Sequence, residues 1–177
     1  PYGDSPLDNE TVGQHVYMDI LNESRYYVHI MTPYLILDNE MVTSLINAAQ
    51  SGIDVRIITP HVADKWYVHM VTRSYYAQLI RGGVKIYEYT PGFIHSKMFV
   101  SDDQVAIVGT ANMDYRSFYL HFECGVSFYQ STMAAKVRDD ILRTLKVCQP
   151  VELDELNRAP LHHRAFTKLL RLMAPLM

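Results

Sequence analysis

Apolar and polar positions recur along this chain with two different periods, and the changes of period mark its elements. Between Asn9 and Asn22, Val12, Val16, Ile20 and Leu21 return at helical spacing. Tyr26 to Met31 has the character of a strand and is stopped by Pro33. Asp38 or Asn39 can cap a second helix, whose buried stripe is Met41, Val42, Leu45, Ile46 and Ala49 and whose end is marked by Gly52. A β-branched run from Val55 to Thr59 predicts a strand ended by Pro60, and His61 to Lys65 is polar and loop-like. A helix then reaches Arg81, closed by Gly82-Gly83, and a strand follows at Val84 to Tyr89. Strands alternating with helices predict an α/β sheet.

After Pro91-Gly92 the period becomes that of a sheet. Ile94 to Val100 and Val105 to Val108 flank Asp102-Asp103 and predict a hairpin. His121 to Tyr129 predicts a further strand, with Phe122, Cys124, Val126 and Phe128 on one face and His121, Glu123, Gly125 and Ser127 on the other. From Ser131 a helix turns Met133, Val137, Ile141 and Leu145 inward, ending at Pro150. The tail, Pro160 to Met177, predicts a short amphipathic helix with Arg164, Lys168 and Arg171 on its polar side. Residues 1–8, PYGDSPLD, are turn-rich and read as a linker, leaving one domain over residues 9–177.

Composition narrows the function. With 177 residues, 49% of them hydrophobic, the chain can bury a sizeable core. A net charge of −3 argues against a dedicated nucleic-acid binder, which carries a basic balance or stripe. No apolar run reaches the roughly 18–20 residues of a membrane span. Two cysteines, Cys124 and Cys148, fit core use or a reduced compartment. There is no Cys/His cluster, HExxH or Asp-rich loop with metal spacing, so neither metal nor cofactor is expected. The chain starts at Pro1 without an initiator methionine, as a piece of a longer protein would.

The chemistry concentrates between Phe93 and Glu123. His95 and Lys97 are two apart, so on a strand they share a face. Asp102 follows, then Gly-Thr-x-Asn from Gly109 to Asn112, then Glu123. A histidine beside a fixed positive charge suits attack on a phosphate ester. Lys97 would pair with a phosphoryl oxygen, and Thr110 and Asn112 can donate to developing negative charge. By strand parity Asp102 falls opposite His95, and beside Asp103 it reads as a turn residue holding the hairpin through local backbone bonds. Given eight histidines, a chance HxKxxxxD is expected on the order of 3% of the time.

This stretch resembles the HxKxxxxD motif of the phospholipase D superfamily, with its GxxN turn and trailing glutamate. GTANMDYRSF (Gly109 to Phe118) and MTPYL (Met31 to Leu35) are similar to the carboxy-terminal half of bacterial cardiolipin synthases, a likeness that extends to the terminal LLRLMAPLM. The resemblance implies a phospholipase D-like α/β fold, a mixed central sheet flanked by helices. It implies catalytic roles for His95, Lys97, Asp102 and Glu123, with Glu123 fixing the His95 tautomer, and phosphate contacts from Lys97, Thr110 and Asn112. The superfamily builds its site from two motifs, and this chain holds one. A missing amino-terminal half or a second copy would supply the other, and His95 would then be the proton donor to the leaving alcohol. The implied reaction joins two phosphatidylglycerol molecules into cardiolipin and glycerol through a phosphohistidine, at the cytoplasmic face of a bacterial cell membrane. Tyr87, Tyr89, Tyr115 and the basic tail are candidates for lipid contact, although core packing is the commoner fate of such residues. Two other readings stay open: a homodimeric phosphodiesterase or nuclease, and a non-catalytic half that binds phosphate or lipid.

Overall fold

The computed structural model describes residues 1–7, 10–158, 166–167 and 169–172. Its strands are β1 (Tyr2–Asp4), β2 (Tyr27–Met31), β3 (Leu35–Ile36), β4 (Asp54–Pro60), β5 (Lys85–Tyr89), β6 (Met98–Ser101), β7 (Val105–Gly109), β8 (Met113–Asp114), β9 (Glu123–Tyr129) and β10 (Cys148–Pro150). Its helices are α1 (Val12–Glu23), α2 (Asn39–Gln50), α3 (Trp66–Arg81), α4 (Tyr115–Tyr119), α5 (Thr132–Leu145) and α6 (Leu153–Asn157). Eight strands form one sheet in the order β1-β9-β7-β6-β2-β4-β5-β10, and β3 pairs with β8 beside it. The sheet is mixed: β2, β4 and β5 are parallel, and every other pairing in it is antiparallel.

Residue alternation on the central strands gives each face its own layer. Val28, Ile30, Val55, Ile57, Phe99 and Ile107 point to one side, where α1, α2 and α3 bring Leu21, Leu45 and Tyr76. Tyr17 of α1 stacks on Phe99 with ring centroids 4.9 Å apart. Met31, Ile58, Val100 and Ala106 point to the other side, covered by Ala134, Val137 and Ile141 of α5. The result is three layers around a mixed sheet, the architecture expected from the alternation of elements.

Strand direction decides where the loops gather. Because β6 runs antiparallel to β2, its start at Met98 lies beside the end of β2 at Met31. The C-terminal ends of β4 and β5 share that edge, as do the end of β7 and the start of β9. Loops from six strands therefore converge on one edge of the sheet.

Several expectations need correction. Residues 2–4 are not linker: β1 pairs with β9, and buried Asp4 accepts the Gly13 amide at 2.7 Å near the start of α1. The carboxylate thus meets the positive end of a helix. Three residues are too few to display alternation. The strand expected at Ile94 begins only at Met98. Its partner β7 stops at Gly109, whose amide donates to the Lys97 carbonyl at 3.3 Å, so the ladder with β7 reaches no further back than residue 97. Helix α5 ends at Leu145, and Pro150 sits in edge strand β10, where its missing N–H costs no interior ladder bond. On β9, Phe128 packs against the α5 layer, but Cys124 and Val126 on the same face are exposed, because α5 lies over the centre of the sheet rather than its margin. Tyr87, Tyr89 and Tyr115 are packed against the cores.

Most of the expected tail helix, with Arg164 and Lys168, lies outside the described residues. Positions 166–167 and 169–171 are helical. Arg171 lies over the Tyr75 ring at 3.9 Å and donates to Gln78 at 2.8 Å, so this piece packs on α3.

Candidate active site

His95 stands exposed in the extended segment before β6. Its ring lies 5.5 Å from that of Phe93 and 6.5 Å, edge-on, from Tyr34 in the loop after β2. Partial burial and then the Lys97 charge hold its pKa below the ordinary 6.5, opposed by Asp64. A neutral imidazole, fit to attack or to accept a proton, is the favoured form at neutral pH. Neither ring nitrogen is hydrogen-bonded among the described residues.

Lys97 is adjacent and half-buried. Its ammonium donates to the His95 carbonyl at 2.8 Å. Burial lowers its pKa, while Glu123 and Asp114 oppose that shift. The lysine therefore sits between an imidazole and two carboxylates.

Thr110, just past β7, is tied to β9 three ways. Its amide donates to the Cys124 carbonyl at 2.9 Å, its hydroxyl donates to the Glu123 carboxylate, and that hydroxyl accepts the Cys124 amide at 3.0 Å. Gly109 allows this approach: a Cβ there would lie 2.6 Å from the Cys124 carbonyl oxygen. The second Glu123 oxygen faces His121 Nδ1 at 3.9 Å. Glu123 does not bond His95, contrary to the expected tautomer-fixing contact. One strand, β7, intervenes between their lines, and two strand spacings come to roughly 10 Å.

Asn112 is likewise engaged within the chain. Its backbone N–H and its Nδ2 both donate to Ser117 Oγ, at 3.0 and 3.1 Å, while its Oδ1 is buried without a partner among the described residues. Ser117 in turn donates its amide to Asp114 at 2.7 Å, which caps α4. Asp114 is buried, and that burial raises its pKa, with Glu123 adding to the rise and Ser117 opposing it. Asp114 and Asp64 are site neighbours that the sequence reading missed. The Asp-x-x-Ser spacing of a helix cap was the available signal for Asp114. Asp64 had no local signal, since its link to the site is a hydrogen bond from Tyr34, thirty residues away in sequence.

Asp102 is at the opposite end of β6 from His95. Its carboxylate accepts three backbone amides, Arg25 at 2.7 Å, Tyr26 at 3.0 Å and Tyr27 at 2.8 Å. Asp102 and Asp103 both have positive φ, 53° and 57°. The acid is thus structural, but its bonds reach the distant α1–β2 connection rather than its own hairpin. Among the described residues, no group of three or more His, Cys, Asp or Glu is placed to hold a metal ion.

These three layers, with a histidine and a lysine at the convergent edge, are the fold of the phospholipase D family. Nuc, a member of that family from Salmonella typhimurium, superposes with a TM-score of 0.69 over 82% of this chain and 94% of its own, at 14% identity. Phosphatidylserine synthase of Haemophilus influenzae gives 0.74 over 93% and 44%, at 15% identity. Such distant likeness speaks for the fold alone. By sequence, the chain belongs to the family described as cardiolipin synthase, PLD-like domain, which matches residues 17–145. An uncharacterized protein of Streptococcus mutans is 48% identical over 177 residues, all of this chain and 38% of the relative. A cardiolipin synthase of Geobacillus is 39% identical over 164 residues, 93% of this chain and 33% of the relative. The chain thus spans about a third of the length of these relatives.

Proposed function

We propose that this domain is the carboxy-terminal catalytic half of a cardiolipin synthase. The observation that carries the reading is His95 itself. It stands exposed beside Lys97, with no hydrogen-bond partner for its ring among the described residues, in a family named for that enzyme. It is half of a two-histidine site, and the other half comes from a second phospholipase D-like domain or a second copy.

One histidine attacks the phosphorus of a phosphatidylglycerol. The P–O bond to the headgroup glycerol breaks, and the glycerol oxygen takes a proton from the other histidine. That histidine then removes the proton from a headgroup hydroxyl of a second phosphatidylglycerol. This hydroxyl attacks the phosphohistidine, the P–N bond breaks, and cardiolipin is released. Covalent catalysis splits one hard displacement into two. Lys97 faces the phosphoryl oxygens as a point charge. Thr110 and Asn112 donate to them only after loosening their bonds to Glu123 and Ser117, and until then they position the loop. Service of His95 as the acid calls for a carboxylate from the other half to lift its pKa. The setting is the cytoplasmic face of a bacterial membrane. No described helix is long and apolar enough to cross one.

The test is transfer of labelled phosphatidylglycerol by the longest natural form, beside its His95→Ala variant and this chain alone. Cardiolipin made only by the first supports the half-site. Cleavage of DNA or a generic diester by this chain alone replaces it with a homodimeric phosphodiesterase. Full activity of His95→Ala leaves only a binding role.

A further inference from the structure

Large apolar side chains stand exposed on both flanks of the His95 edge. On one flank the loop after β4 and the first turn of α3 present Val62, Trp66 and Tyr67, with Trp66 64% exposed. On the other, the connection from α4 to β9 presents Leu120 and Phe122, with Phe122 70% exposed. Both flanks touch the site. Asp64, in the first loop, accepts the Tyr34 hydroxyl and acts on His95, and Phe122 directly precedes Glu123.

The first flank is braced at its base. His61 Nδ1 meets the buried Glu88 carboxylate at 2.8 Å, and Glu88 also pairs with Arg73 of α3. His69 Nε2 lies 3.1 Å from the Pro60 carbonyl, and the Trp66 and Tyr67 rings meet edge to face at 5.8 Å. The aromatic tips are thus held outward by a fixed frame.

We propose that this rim seats the catalytic edge in the headgroup layer of a phospholipid bilayer, with Trp66 and Phe122 as the anchors on either side of His95. The proposal rests on the phosphatidylglycerol reading and names the surface from which that substrate is taken. Three features favour lipid over a protein partner. The apolar tips stand on separate loops with polar His61, Asp64, Lys65 and His121 between them, rather than as the continuous apolar centre of a protein interface. Trp and Tyr suit the boundary where one end of a ring is apolar and the other wet. Exposed Lys65 and Arg116, one on each flank, match an anionic headgroup layer. A lipid whose acyl chains stay in the bilayer reaches a histidine only if the histidine comes to headgroup depth, which this rim would set.

Trp66 is the single tryptophan of the chain, so its fluorescence reports this rim alone. The experiment mixes the 177-residue chain with phosphatidylglycerol vesicles, with and without brominated acyl chains. A blue shift of several nanometres and quenching by bromolipid are expected. Phe122→Ser and Val62→Ser, each with unchanged circular dichroism, should weaken vesicle binding about 10-fold, roughly the worth of one buried apolar side chain. Co-sedimentation with an unshifted Trp66, or no association at all, overturns the proposal. A shift that appears on raising protein concentration without lipid also overturns it, in favour of a second copy on this edge. The His95→Ala variant separates the two readings. If it still shifts on vesicles while the long form carrying it makes no cardiolipin, both stand. If the long form carrying it keeps transferring, the rim survives and the catalytic reading falls.

Discussion

The two ends of β6 carry the same motif and do opposite work. At the start of the strand, His95 is exposed with no hydrogen bond to its ring among the described residues, and the Lys97 ammonium donates to a backbone carbonyl and feels the Glu123 and Asp114 charges. At its end, Asp102 gathers three amides, Ser101 Oγ meets Ser24 Oγ at 2.7 Å, and Tyr27 donates to Asp103 at 2.7 Å. Under the proposed function the groups at the start meet substrate, while the well-bonded far end fixes the strand that follows them. One motif therefore spans a site and its anchor, and conclusions about chemistry hold only for the first.

The sharpest way to break this comparison is to change each end and measure both turnover and melting. His95→Ala should lower transfer by the longest natural form at least about 1000-fold while shifting stability by less than about 0.5 kcal/mol. Asp102→Ala should do the reverse. Losing a charged acceptor of three amides, and placing Ala at positive φ, should cost about 2–4 kcal/mol in a denaturant titration of this chain. Asp102→Asn keeps one oxygen and tolerates that φ, so it should cost less. An Asn variant that melts normally but has lost turnover would return Asp102 to the chemistry.

Acid should also weaken the fold, through a buried histidine beside the far end of β6. His29 is buried in β2, and both of its ring nitrogens lack hydrogen-bond partners among the described residues. Burial and then Arg56 lower its pKa to about 4, with Asp54 opposing. Since the folded value lies below the ordinary 6.5, the unfolded chain binds the proton first. Stability is full above about pH 6.5 and falls by on the order of 2–3 kcal/mol by about pH 4. Urea midpoints across that range should flatten in His29→Leu. The smallest effect belongs to Thr110→Val, which removes the hydroxyl bonds to Glu123 and Cys124 while keeping shape. We expect about 1–2 kcal/mol of stability to go with those bonds, and kcat/KM of the longest natural form to fall about 10-fold. A loss of stability with kcat/KM unchanged, measured where the variant is folded, would make Thr110 a sheet residue only.

Periodicity exposed helices α1, α2, α3 and α5 because each buries one face, while β2 and β4 showed as apolar runs buried on both; these elements and β5 lie close to their expected bounds, the end of α5 excepted. It was blind to β1, β3, β8, β10 and α4, which have two to five residues and depend on tertiary bonds. Thr32 illustrates this, since its hydroxyl accepts the Met113 amide and joins segments 81 residues apart. The His95–Lys97 neighbourhood was legible because it is local. The Glu123 partner was not, because register across three strands decides it, and register is a property of the whole sheet.

Gly109 has a consequence for how this domain can change over time. A Cβ there meets backbone, the Cys124 carbonyl at 2.6 Å, whereas the nearest atoms to a Cβ at Gly125 belong to the Tyr2 side chain, the first at 2.5 Å. A saturation library should therefore find position 109 closed to every substitution. Position 125 should open to alanine once Tyr2 is trimmed. Neither glycine touches a reacting atom, so intolerance in this stretch records the spacing of two strands, and inherited sameness at Gly109 is no measure of its part in catalysis.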